Sequence, residues 1–225
     1  SAPPSGPPSP DTGRTPGEHP DGNMTADGTR IALAQLNLVV GDIRGNAARV
    51  RDAALRARDE AGAGVVLFPE LALTSYPPED LLFRADLHRQ VDEALAMLRR
   101  EVHGIHLVVG HPRREGDDCC NALSVLRDGE VLLAYDKQRL PNYAVFDEKR
   151  YFTAGTRPVP VFELGGVRFG VSICEDIWAP GVAAQAAEAG VQCLLNINAS
   201  PYHVDKPAER LAVVARNATE ADMAV

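Results

Sequence analysis

The chain has 225 residues, 45% of them hydrophobic and 24% charged, a composition that suits one globular domain with a sizeable core. A formal net charge of −8, with no cluster of Lys and Arg and no interleaved aromatics, argues against a nucleic-acid partner. No apolar stretch approaches the roughly 18–20 residues that span a bilayer, so no membrane partner is expected.

Residues 1–30 are dominated by Pro, Gly, Ser, Asp and Thr and carry no apolar run. Such a segment cannot bury enough surface to offset its ordering entropy, so it is predicted to be a disordered leader. It also lacks the apolar core of a secretory signal. Met24 stands just before the first patterned segment and marks the expected native start, with residues 1–23 an upstream extension or an added leader.

From Ile31 the elements follow in order. Residues 31–39 read as a strand. Residues 46–61 read as a helix with Val50, Ala54, Ala57 and Ala61 on one face, stopped by Gly62 and Gly64. Residues 65–68 are short and fully apolar, as a buried central strand should be. After Pro77-Pro78 a second helix carries the stripe Leu87, Val91, Leu95, Leu98 and Val102, and residues 105–110 form another buried strand. Two hairpins are then predicted: residues 122–126 with 131–135 around Asp128-Gly129, and residues 159–164 with 167–173 around Gly165-Gly166. A short Ala-rich helix over 182–189, a strand over 191–197 and a helix over 208–221 opened by Pro207 complete the pattern. Strand–helix units mixed with hairpins give an α/β domain with helices covering the sheets on both sides.

Four cysteines, none in a CxxC pair, suit neither a secreted disulfide framework nor structural zinc. Cys193 reads as a small buried apolar residue, and no metal is expected. The compartment reads as reducing, hence cytoplasmic. Cys174 differs, because it ends the apolar run of residues 169–173 and is followed by Glu175 and Asp176. A strand ending in a helical turn is expected to present its last side chain at an exposed tip. Two carboxylates beside it argue against a sealed structural thiol. A thiol with a free pKa of roughly 8.5 is sluggish without a base or cation beside it. Glu70, leaving a strand behind Pro69, is the candidate base, and Lys137 ends its strand in the same way. Alone, each reads more readily as a solvated surface charge. Together, all three terminate strands, whose ends can converge on one cleft. No histidine is comparably placed, which weakens a Cys-His reading.

These segments also carry a family resemblance. The run 68–82, from Phe68-Pro69-Glu70-Leu71 through Ser75-Tyr76-Pro77-Pro78-Glu79-Asp80, closely resembles the first catalytic segment of the glutaminase domain of glutamine-dependent NAD+ synthetases, members of the nitrilase superfamily. Tyr135-Asp136-Lys137-Gln138 with Phe146-Asp147-Glu148-Lys149-Arg150-Tyr151-Phe152 is similar to its second, Ser172-Ile173-Cys174-Glu175-Asp176-Ile177-Trp178 to its third, and Asn196-Ile197-Asn198-Ala199-Ser200-Pro201-Tyr202 to its fourth. The resemblance runs from about residue 31 to 225. It implies a four-layer αββα sandwich with a Glu70–Lys137–Cys174 triad. Glu70 would act as general base, Cys174 would form a γ-glutamyl thioester, and Lys137, with a backbone N–H at the cysteine turn, would stabilise the oxyanion. Glu148 would be the additional glutamate beside the lysine, and Tyr143, Glu175, Ser200 and Lys206 would bind glutamine. Released ammonia would serve ATP-dependent amidation of deamido-NAD+ in a synthetase domain, the expected home of ATP and Mg. A homo-oligomer is also implied.

The pattern departs from that family in two places. No Ser-Gly-Gly-x-Asp-Ser pyrophosphate loop occurs, so the synthetase domain is absent from this sequence. Residues 221–225 fall where the family pattern enters its next core strand, so residues 31–225 are read as a hydrolase domain truncated at the C-terminus and of reduced stability. A free-standing nitrilase-type amidase or carbamoylase, and a non-catalytic association domain, stay open as alternatives.

Overall fold

The computed structural model describes residues 28–225; of the expected leader only residues 28–30 are included, and the rest lies outside the described residues. The elements are β1 (Ile31–Leu33), α1 (Ile43–Asp59), β2 (Val65–Leu67), α2 (Ala85–Glu101), β3 (His106–Glu115), β4 (Asp118–Arg127), β5 (Glu130–Asp136), β6 (Val161–Leu164), β7 (Val167–Ile173), α3 (Val182–Glu188), β8 (Cys193–Ile197) and α4 (Lys206–Ala221). Short 3-10 turns at Glu79–Phe83, Glu148–Arg150 and Cys174–Ile177 interrupt the loops.

Two sheets form. β1, β2 and β3 pair in parallel, and β4 and β5 extend them antiparallel. In the second sheet β6 pairs antiparallel and β8 parallel with β7. The two-residue period of β2 divides its side chains between layers. Val66 faces α1 and α2, where it joins Val50, Ala54, Val91 and Leu98. Val65 and Leu67 face the second sheet, where they join Phe169, Val171, Ile173 and Leu195, and that cluster continues onto α3 and α4 through Val182, Ala186, Val213 and Val214. The result is the expected αββα arrangement of layers. Each fully buried Val or Leu contributes roughly 1.5–3 kcal/mol, so two sandwiched sheets supply most of the drive to fold.

The sequence boundaries shift where side chains redirect the backbone. α1 begins before Asn46 because the Asp42 carboxylate caps it, accepting from the Gly45 N–H at 3.0 Å. It ends at Asp59, leaving Ala61 beyond the helix and exposed rather than on the buried stripe. β1 stops at Leu33 instead of continuing to residue 39, because β2 offers only three paired positions. The Asn46 side chain takes over farther on, accepting from the Val39 N–H at 2.9 Å and donating to the Val39 carbonyl at 2.8 Å. β3 runs past Gly110 to Glu115 and forms a long hairpin with β4 that the sequence reading missed. His111-Pro112-Arg113-Arg114 looks unlike a strand, yet β2 pairs with β3 only as far as Val108, so Pro112 sits where β3 has a single neighbour. β8 starts at Cys193, which is half-buried and not the sealed core residue expected. A parallel bridge between Cys193 and Ala224 lies at its open edge, where the sequence reading placed another strand.

Among the described residues no helix is long and apolar enough to cross a membrane.

Candidate active site

Because β3 runs with β2 and β5 runs antiparallel to β4, the chain ends of β2 and β5 lie on the same rim of the first sheet. Glu70 follows β2 there and Lys137 follows β5. Gly110 on β3 makes the Glu70 turn possible: a Cβ on it would lie 2.5 Å from the Leu71 nitrogen and 2.7 Å from the Pro69 carbonyl. Gly155 does the same beside β5, where a Cβ would meet the Asp136 carbonyl at 2.2 Å. From the second sheet come Cys174, directly after β7, and Ser200, on the loop after β8.

The charged residues meet in the interior. Lys137 Nζ donates to Glu70 Oε1 at 2.6 Å and to Glu148 Oε1 and Oε2 at 2.8 and 2.9 Å. The three side chains are 1–3% exposed. Burial acts to lower the Lys137 pKa, but Glu70, Cys174 and Glu148 overcome it and hold the ammonium above the usual lysine range. Burial, with repulsion from Glu70, pushes Glu148 up to about 7 despite Lys137 and the Tyr76 hydroxyl, which donates to its Oε1 at 3.0 Å. Lone buried charges would cost several kcal/mol each, so this cluster persists only as a mutually bonded set.

Cys174 is 3% exposed, which corrects the expectation of an exposed tip. Its backbone sits at φ +46, in the left-handed region that costs a non-glycine residue about 1–3 kcal/mol. Asn196 fixes this conformation: its Oδ1 accepts from the Cys174 N–H at 2.7 Å, and its Nδ2 faces the Cys174 carbonyl at 3.4 Å. With the N–H of Cys174 taken, the donor available at the cysteine turn is that of Glu175, which has no intrahelical acceptor at the start of a 3-10 turn. The thiol hydrogen-bonds Ser200 Oγ at 3.4 Å. Burial pushes it up to about 12, Glu70 adds to the rise, and Lys137 and Ser200 oppose it only partly. Such a rise favours the neutral thiol over the thiolate.

The loop after β8 ties the two sides together. Ala199 N–H donates to Glu70 Oε2 at 3.1 Å, and the next residue, Ser200, bonds the thiol. Of the residues expected to bind substrate, Ser200 is therefore at the sulfur. Tyr143 donates to Glu175 Oε2 at 3.0 Å and stays half exposed at the mouth. Lys206 Nζ lies 3.9 Å from the centre of the Trp178 ring, at the end of the turn that begins with Cys174, and 3.6 Å from Glu209. A cavity of about 320 Å³ is lined by Tyr76, Glu148, Val145 and Phe152 but not by Cys174, so it adjoins the reacting groups without containing them.

Four site residues were not anticipated from the sequence. Asn121 donates to Glu70 Oε1 at 2.8 Å, Asn196 holds the cysteine turn, and Tyr76 holds Glu148. Asp176, taken as a sign of exposure, is sealed and accepts from Tyr135 Oη and the backbone N–H groups of Ile173, Gln138 and Arg139. It thereby joins the segment after Lys137 to the turn that carries Cys174. Among the described residues no cluster of three His, Cys, Asp or Glu side chains could hold a metal ion.

Comparison with known proteins places the chain in a family. The chain is 43% identical over 203 residues to the glutamine-dependent NAD(+) synthetase of Xanthomonas campestris pv. campestris, covering 90% of this chain and 37% of that protein. It is 46% identical over 199 residues to the synthetase of that name from Xylella fastidiosa, covering 87% and 36%. The solved glutamine-dependent NAD+ synthetase of Acinetobacter baumannii in complex with ADP superposes with a TM-score of 0.82 at 39% identity, covering 86% of this chain and 36% of that one. An amidase of the nitrilase superfamily from Nesterenkonia AN1 gives 0.77 at 29% identity, covering 87% and 73%. The chain thus spans about a third of the length of the synthetases it matches. Residues 30–223 match the carbon-nitrogen hydrolase family, and the chain belongs to that family.

Proposed function

We propose that this chain is the glutamine amidohydrolase part of a glutamine-dependent NAD+ synthetase. The observation that carries the proposal is the sealed Lys137–Glu70 contact at 2.6 Å, linked through the Ala199–Ser200 loop to the Cys174 thiol. Identity to the Xanthomonas and Xylella synthetases, at 43–46%, and to the Acinetobacter baumannii synthetase, at 39%, exceeds the 29% shared with the Nesterenkonia AN1 amidase and supports glutamine over simple amides. In one amidase variant of this fold, the active-site cysteine carries the acetamide moiety of fluoroacetamide, which supports covalent chemistry at Cys174.

Because the resting thiol is neutral, Glu70 removes its proton as sulfur attacks the side-chain carbonyl of glutamine. The two near-equal contacts of Lys137 to Glu148 can share one N–H, which leaves a third N–H for the developing oxyanion beside the N–H of Glu175. Glu70 then passes its proton to the departing nitrogen, and ammonia leaves a γ-glutamyl thioester. Water, deprotonated by Glu70, releases glutamate and restores the thiol. Tyr143, Glu175, Ser200 and Lys206 would hold the amino-acid end of the substrate. The ammonia would pass to a synthetase domain that uses ATP and Mg to amidate deamido-NAD+. A reducing cytoplasmic setting and a homo-oligomeric assembly belong to the same reading.

The test is ammonia release from glutamine compared with a panel of aliphatic amides and N-carbamoyl compounds. Glutamine should be strongly preferred, and Glu70→Gln should leave only a trace of turnover. Preference for a simple amide or a carbamoyl compound would replace this reading with that of a free-standing hydrolase.

A further inference from the structure

Asn121 lies near the start of β4, on the same rim as Glu70 and Lys137, and is 1% exposed. Its main-chain carbonyl accepts from the Lys137 N–H at 2.8 Å, while its side-chain amide donates to Glu70 Oε1 at 2.8 Å. One residue of a central strand therefore holds both the lysine and the glutamate. The direction of the side-chain bond is fixed by chemistry, because an ionised carboxylate only accepts. The other end of the amide, Oδ1, is buried and has no partner, so its desolvation is left uncompensated. That cost is tolerated in return for the bond to Glu70.

The consequence concerns the two oxygens of Glu70. Oε1 already accepts from Asn121 and from Lys137, and two donors occupy its two lone-pair positions. Oε2 accepts only from the Ala199 N–H and keeps a lone pair free. It is also the oxygen held by the loop whose next residue bonds the Cys174 sulfur. We propose that Asn121 is a positioning residue that saturates Oε1 of Glu70, so that the thiol proton can be taken only by Oε2. As the S–H bond breaks, its proton forms an O–H bond at Oε2 and the sulfur pair forms the S–C bond. The carbonyl π pair moves to oxygen. The same Oε2 proton later moves to nitrogen as the C–N bond breaks. This inference rests on the hydrolase reading of the site but concerns a group that reading does not use.

Two variants and two readouts test it. Asn121→Asp keeps the shape, removes the donor and sets a second carboxyl against Glu70; Asn121→Ala removes the whole amide without adding a charge. For ammonia release from glutamine, both should lower kcat about 10²-fold while KM stays within about threefold. The acid limb of kcat/KM should move to higher pH, more for Asn121→Asp, because its two adjacent carboxyls must share a proton. Alkylation of Cys174 by iodoacetamide needs no substrate, and Asn121→Asp should slow it about tenfold at pH 8. A lower melting temperature with an unmoved pH limb and unchanged alkylation in both variants would reduce Asn121 to packing and overturn the inference. If the wild-type chain released no ammonia from glutamine while the alkylation profile still shifted, the glutaminase reading would fall and this inference would stand.

Discussion

Glu70, Lys137 and Glu148 on one side of the cleft are 1–3% exposed and joined by bonds of 2.6–2.9 Å, whereas Tyr143 at its mouth, bonded to Glu175, is 53% exposed. The buried side has no freedom to rearrange without stranding a charge in a low dielectric, so it can hold a base and a cation in fixed geometry before substrate arrives. The mouth trades water for substrate and is only loosely constrained. Damage to the first should therefore reach kcat and stability together, and damage to the second should reach KM.

The largest expected effect is that of Cys174→Ala, which should remove turnover by on the order of 10⁴-fold or more while circular dichroism shows the fold intact. Residual glutamine hydrolysis near the wild-type rate would place the nucleophile elsewhere. Lys137→Met comes next. It strips the ammonium from between two carboxylates, so kcat should fall about 10²–10³-fold and the unfolding free energy by about 3–5 kcal/mol in urea titration. An active variant of unchanged stability would mean that the buried side is not a coupled unit.

Glu148→Gln sharpens the same point through pH. The folded pKa of Glu148 stands at about 7, above its ordinary value of 4.5, so the fold binds that proton more tightly than the unfolded chain does. Its contribution to stability is thus fully present below about 4.5 and is lost as pH rises through about 7. Thermal melts across that window should show a decline in the wild type that Glu148→Gln flattens. Equal slopes would contradict the assignment. The smallest effect belongs to the mouth: Tyr143→Phe breaks the bond to Glu175 and should raise KM for glutamine about three- to tenfold with kcat nearly unchanged. A fall in kcat without a change in KM would erase the distinction between the two sides.

The same contrast describes what the sequence revealed. Glu70, Lys137 and Cys174 were legible because each ends an apolar run, and a strand end is a local feature. The helix stripes of α1, apart from Ala61, and of α2 were legible for the same reason, since their spacing lies within one segment. Asn121 and Asn196 were not, because their roles follow from which strands lie side by side: β4 beside β5, and β8 beside β7. Asp176 misled for a related reason. Its carboxylate looked like a mark of exposure, but four donors from two separate segments satisfy it in the interior. The hairpin of β3 and β4 escaped because Pro112 and two arginines mask a strand that only pairing makes visible.

The central claim is that a neutral, buried thiol waits beside a preformed carboxylate–ammonium pair and loses its proton only during attack. The rate of Cys174 alkylation against pH in the substrate-free protein tests it most directly, with the modified peptide followed by mass spectrometry. The rate should still be climbing above pH 9, as expected of a thiol pushed up to about 12. A plateau reached below about pH 7 would reveal a standing thiolate paired with Lys137 and contradict the account.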